Sequence, residues 1–175
     1  LWYGEGFDYE RASAVFWLCE MSGLPHGLTN ELLRYGGQTP AHFKGMLFGS
    51  ANRWQGPFDV PLGTSPFDPR AVWALWDRFG IDSAVMYGFW LDAERGAGTV
   101  PAVANDTGVQ VTAFVRRGQA TLLALASFVP RNLSVTLKVD WARLGLPAST
   151  PLVAPQLVPM QPARRVFADG EAIAV

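Results

Sequence analysis

Residues able to do chemistry fall into three short tracts. Gly4-Glu5-Gly6-Phe7-Asp8-Tyr9 is the first, Thr29-Asn30-Glu31 the second, and Ser50-Ala51-Asn52-Arg53-Trp54-Gln55 the third. Carboxylate, carboxamide, guanidinium and indole together suit a polyhydroxylated ligand. Carboxylates and amides bond hydroxyls, and an indole face covers the C–H face of a sugar ring. Glu5 is the candidate acid/base or nucleophile, because flanking glycines let a ligand approach the backbone at a cost in local stability. Asp8 or Glu31 is its candidate assistant, and Tyr9, Asn30, Asn52, Arg53 and Trp54 are candidates for a sugar subsite. Glycoside hydrolysis commonly takes two carboxyl groups, about 5 to 5.5 Å apart for retention or about 6.5 to 9.5 Å for inversion. Glu5 and Asp8 are separated only by Gly6-Phe7, which disfavours opposed placement across a ring. The partner carboxylate is therefore expected on a strand that this stretch lacks, and the stretch alone is expected to be inactive.

Each candidate also has a structural role open to it. Glu5 can pair with Arg11 or Arg53, and Asp8 stands where a helix N-cap is expected. Asn30 and Glu31 can bond a local turn, and Arg53 can simply stack on Trp54. Other chemistries find less support. His26 and His42 are not at ligand spacing, and Cys19 is the single cysteine, so neither a metal nor any other cofactor is expected. Gly49-Ser50-Ala51 lacks the far glycine of a nucleophile elbow, and Gly96-Ala97-Gly98 has no lysine for a phosphate.

Positioning these residues requires a packed chain, and the composition supplies one: 175 residues, 49% hydrophobic and 17% charged. A net charge of -1 leaves no basic excess for nucleic acid. No apolar run approaches the length of a membrane span, so no membrane partner is expected. One cysteine leaves the compartment open, an extracellular or periplasmic location being compatible with it. The opening Leu1-Trp2-Tyr3 has neither an initiator Met nor a signal-peptide pattern. The expectation is that the chain was cut from something longer, whose remainder is its partner.

All but one of the seven tryptophans lie at or before Trp90, and beyond it Val, Ala, Leu and Thr dominate. That shift predicts two units, 1–82 and 83–175. In the first, Asp68-Pro69, the stripe Val72, Leu75, Trp76, Phe79 and the closing Gly80 predict a helix. Residues 10–22 predict a second helix, and a short one is expected near Pro40 to Lys44. Leu1 to Tyr3, Leu24 to Leu28 and Gly45 to Gly49 are short apolar runs, predicted as buried strands. Alternation of this kind argues for βαβ crossovers, in an incomplete (β/α) barrel or a small open sheet. Its ligands belong on the loops at the carboxyl ends of the strands, where the three tracts fall.

In the second unit the period changes to two. Val109 to Val115 and Ala120 to Phe128 flank Arg116-Arg117-Gly118-Gln119 as a hairpin, and Leu133 to Val139 alternates as a half-exposed strand. Asp140 to Gly145 predicts one helical turn, with short strands around Leu152, Val166 and Ile173. This pattern is that of an antiparallel sandwich.

Five stretches carry a family resemblance. They are residues 1–9, Ser22 to Leu28, Gly45 to Gly49 with Asn52-Arg53 behind it, Trp73 to Ile81, and Leu122 to Ser127 up to Asp140-Trp141. Together they resemble the C-terminal part of large glycoside-hydrolase-like proteins, over nearly the whole chain. The resemblance implies the last units of a (β/α)8 barrel followed by a C-terminal antiparallel β-sandwich, and a carbohydrate substrate. The chain departs from that pattern by lacking the first barrel strands and by ending at Ala174-Val175, where such sandwiches usually continue into a last strand. Two function classes follow: a glycosidase working through carboxylate acid/base chemistry, or a non-catalytic carbohydrate-binding or scaffold protein.

Overall fold

A computed structural model describes residues 29–30, 39–49, 51–52, 61–62 and 68–175. The predicted strands at 1–3 and 24–28 and the predicted helix at 10–22 lie outside the described residues.

The first described elements form one βαβ unit. Strand β1 (Thr29–Asn30) runs into helix α1 (Thr39–Leu47), and strand β2 (Ala51–Asn52) returns parallel to β1. The expected short helix is thus present but longer, and Gly45 to Gly49 is not a strand. Phe43, Met46 and Leu47 recur at helical spacing, and Met46, Leu47 and Phe48 are buried in the main core, so tertiary burial continues the helix through Gly45. Gly49, at φ 74°, then turns the chain into β2.

Helix α2 (Arg70–Phe79) follows the predicted stripe, burying Val72 and Trp76, and Gly80 closes it at φ 73°. Asp68 sits one residue ahead of the cap position. Its fully buried carboxylate accepts the Arg70 N–H at 3.0 Å and clasps the same residue's guanidinium at 2.7 to 3.1 Å. After a single 3₁₀ turn (Ile81–Ser83) come strand β3 (Val85–Tyr87), helix α3 (Leu91–Arg95) and strand β4 (Ala102–Ala104).

Strands β5 (Val109–Arg116) and β6 (Ala120–Ser127) form the predicted hairpin, with Gly118 at φ 73° in its turn. They join β3 in an antiparallel sheet of order β3-β5-β6. Because side chains alternate along a strand, the sheet has two distinct faces. Phe114, Leu122, Ala124 and Ala126 face the helices and share a core with Val72, Trp76, Leu47 and Phe48. Val109, Ala113, Val115, Leu123 and Leu125 face a second layer. Burial on both faces explains why β5 is apolar without a clear alternation.

That second layer is built from short strand pairs. Strand β7 (Ser134–Val135) pairs with β11 (Ile173–Ala174), and strand β8 (Leu137–Val139) with β4. A further pair, β9 (Leu152–Ala154) with β10 (Arg165–Phe167), is joined by a connection whose Leu157 is buried in the helix-side core. The single strand expected from Leu133 to Val139 is therefore divided. Its halves pair with different strands, and at the break Asn105 replaces the ladder: its N–H donates to the Thr136 carbonyl at 3.1 Å and its Oδ1 accepts the Thr136 N–H at 2.9 Å. Helix α4 (Trp141–Leu144) is the expected helical turn, capped by the Asp140 carboxylate on Arg143 N–H at 3.0 Å and ended by Gly145 at φ 69°. The chain therefore has the fold class expected, a (β/α)-barrel segment followed by a β-sandwich-like part.

The β10–β11 connection contains one pH-sensitive contact. Glu171 accepts the Ala168 N–H at 2.8 Å and the Arg165 guanidinium at 2.6 Å, and these hold its pKa below the usual carboxylate value, the backbone N–H contributing most. A depressed folded pKa means the contact stabilises above the unfolded value, about 4.3, and is lost as pH falls through the folded one. An NMR titration of Glu171 should give a midpoint below that of a model glutamate, and Arg165→Gln should move it up. An unshifted midpoint in the wild-type protein would refute this.

Candidate functional site

Strands β1 and β2 bring two of the expected site residues together. In their parallel register Thr29 stands opposite Ala51 and Asn30 opposite Asn52. Neighbouring strands lie about 4.8 Å apart, so the two asparagines occupy adjacent backbone positions at the carboxyl ends of their strands. Ligands are bound at that end in parallel α/β architectures. Carboxamides both donate and accept, as sugar hydroxyls do. Glu5, Asp8, Tyr9, Glu31, Arg53 and Trp54 lie outside the described residues. In sequence, Glu31 directly follows Asn30, and Arg53-Trp54 directly follows Asn52.

What holds this rim in place is the seating of α1 on the central sheet. Leu47, in the last turn of α1, has a main-chain carbonyl without a partner inside the helix. Thr112 of β5, fully buried, donates its hydroxyl to that carbonyl at 2.7 Å and accepts the Phe89 N–H at 3.3 Å. One hydroxyl thus joins the βαβ unit, the sheet and the chain entering α3. Around it, the Phe48 ring stacks on Trp90 at 5.5 Å and meets Phe89 edge-on at 5.5 Å, and Phe89 reaches Phe128 at 6.4 Å. The buried Lys44 of α1 carries its ammonium 5.1 Å from the centre of the Phe128 ring. Aromatic contacts of this kind add to area burial and fix orientation.

Thr112 was not among the residues singled out by sequence. The available signal was a lone hydroxyl inside the apolar run Val111 to Val115, where burial on both faces requires an internal partner. Thr112→Val keeps the shape but orphans the Leu47 carbonyl and the Phe89 N–H. Equilibrium denaturation should show a loss of about 1–3 kcal/mol, and an unchanged midpoint would dismiss the link.

A parallel βαβ unit, with polar residues at its strand ends, seated on an antiparallel sheet backed by a second strand layer defines a barrel-and-sandwich protein. The model for "Glycoside hydrolase 123, C-terminal domain" matches residues 68–175, and that for "Glycoside hydrolase 123, TIM-barrel domain" matches residues 1–55. The chain belongs to the glycoside hydrolase 123 family. Comparison with curated proteins and with solved structures returns no match.

Proposed function

We propose that this chain takes part in hydrolysing glycosidic bonds by carboxylate acid/base chemistry at the rim formed by the carboxyl ends of β1 and β2. Glu5 is the acid/base or nucleophile, assisted by Asp8 or Glu31, and Tyr9, Asn30, Asn52, Arg53 and Trp54 line the sugar subsite. The observation that carries this reading is the register of Asn30 with Asn52 at the ends of neighbouring parallel strands. Carboxamides offered from neighbouring strands can bond adjacent hydroxyls of one ring, holding it while a carboxyl group protonates the glycosidic oxygen. Membership of a glycoside hydrolase family supports the same chemistry.

Steady-state kinetics of the full-length protein on a panel of aryl glycosides tests the proposal. Asn30→Ala and Asn52→Ala should each raise KM, lowering kcat/KM about tenfold for one hydrogen bond lost to a bound sugar. Retention on polysaccharide with no turnover of any glycoside would instead identify a carbohydrate-binding protein. Wild-type kinetics in both variants would remove the rim from the site.

A further inference from the structure

We propose that the recess where the β5–β6 turn meets α4 binds an anionic group, a carboxylate or sulfate, carried on a saccharide. The saccharide part rests on the carbohydrate reading above, whereas the anion part stands on the geometry alone. The recess has a volume of about 330 Å³, at the lower end of small-molecule sites, and is lined by Ser83, Tyr87, Arg116, Arg117, Gln119 and Arg143. Buried Val115 and Leu144 also border it.

Three arginines line this recess, and none of them has a carboxylate partner among the described residues. Arg116 donates to the Phe79 carbonyl at 2.7 Å, Arg117 to the Arg143 carbonyl at 3.3 Å, and Arg143 to the Gly98 carbonyl. The Arg143 guanidinium also lies 5.2 Å from the centre of the Tyr87 ring. Ion pairs among the described residues are made by other arginines: Arg70 with Asp68, Arg131 with Asp106, and Arg165 with Glu171. A guanidinium has five N–H donors, and a bond to a neutral carbonyl orients it without neutralising its charge. Three positive charges not paired with a carboxylate among the described residues are thus carried by the lining of one recess, in a chain whose net charge is -1. The concentration is local, and so fits one anionic group better than a polyanion that would need a long basic track.

The frame is also built to hold its shape. Gly118 N–H donates to the Leu144 carbonyl at 2.8 Å, docking the hairpin turn on the end of α4. Gly145, at φ 69°, packs so closely that a Cβ there would stand 3.1 Å from Gly118 N. Fixed donors of this kind bind a carboxylate or sulfate in paired, charge-assisted hydrogen bonds, with little ordering left to do on binding.

The test is calorimetric titration at constant ionic strength with three probes: sodium sulfate, a uronic-acid disaccharide and its neutral counterpart. The acidic disaccharide should bind saturably and more tightly than the neutral one. Arg117→Gln and Arg143→Gln should each weaken it about tenfold or more, while Arg164→Gln, an exposed charge outside the recess, should change nothing. Arg117 is itself exposed, so its variant keeps the test readable should Arg143→Gln fail to fold. Absence of saturable anion binding, or binding indifferent to both recess variants, would overturn the proposal. Sulfate binding lost in those variants, without preference for the acidic over the neutral disaccharide, would overturn the saccharide part alone. None of these readouts requires glycosidase activity, so failure of the hydrolytic reading is separable.

Discussion

Glu5→Gln in the full-length protein is expected to lower kcat on the order of a thousandfold on an aryl glycoside that the wild-type protein cleaves, with little change in KM. Glutamine keeps the size and much of the hydrogen bonding of glutamate but can neither titrate nor attack carbon. Substrate binding should therefore survive while proton transfer or nucleophilic displacement is lost, a change confined to the transition state. The pH–rate profile provides an independent check, because the limb due to Glu5 should vanish in the variant. A structural ion pair with Arg11 or Arg53 would behave differently, moving the melting temperature more than the turnover. Near wild-type kcat would end the assignment and leave a rim that only binds.

Phe114→Ala is the substitution in the described core with the largest expected cost, about 3–5 kcal/mol. Phe114 is fully buried at the centre of the three-stranded sheet, opposite Met86 on β3 and Leu122 on β6. Its ring centre lies 6.2 Å from that of Trp76 on α2. Removing the ring would open a cavity between the helices and the sheet, and stiff strands on both sides limit how far it can collapse. Since whole domains are stable by about 5–15 kcal/mol, the variant should unfold at markedly lower denaturant. Phe114→Leu, which keeps most of the volume, should recover much of the loss. An unchanged midpoint for Phe114→Ala would mean that Phe114 does not join α2 to the sheet.

Phe114 belongs to one line of support that runs from the rim to the sheet. The rim at β1 and β2 is attached to α1, α1 is tied by Thr112 to β5, and β5 carries Phe114 on the same face. Damage to the core at Phe114 should therefore reach the rim as lost stability. Damage at Glu5 should leave folding intact, because a residue serving the reaction is not needed to close the core.

Elements fixed by one local interaction could be read directly from the residues that make it. Helix α2 was legible from its stripe and closing glycine, the β5–β6 hairpin from two apolar runs around Gly118, and α4 from Asp140 and Gly145 at its ends. The switch from helical spacing in the first unit to a period of two in the second was likewise visible, and it underlies the barrel-then-sandwich class. Features that depend on distant partners emerge only from packing between segments. Gly45 to Gly49 is too short for its period to separate helix from strand, and the core that buries Met46, Leu47 and Phe48 settled it as helix and turn. Leu133 to Val139 alternates without interruption, yet it divides because β11 and β4 claim different halves. Nor could spacing show that Asn30 would stand beside Asn52, or that Arg143 would join Arg116 and Arg117 on one recess. Cap and turn preferences act over a few residues and are written where they act, whereas register and convergence arise from backbone pairing and burial between segments far apart in the chain.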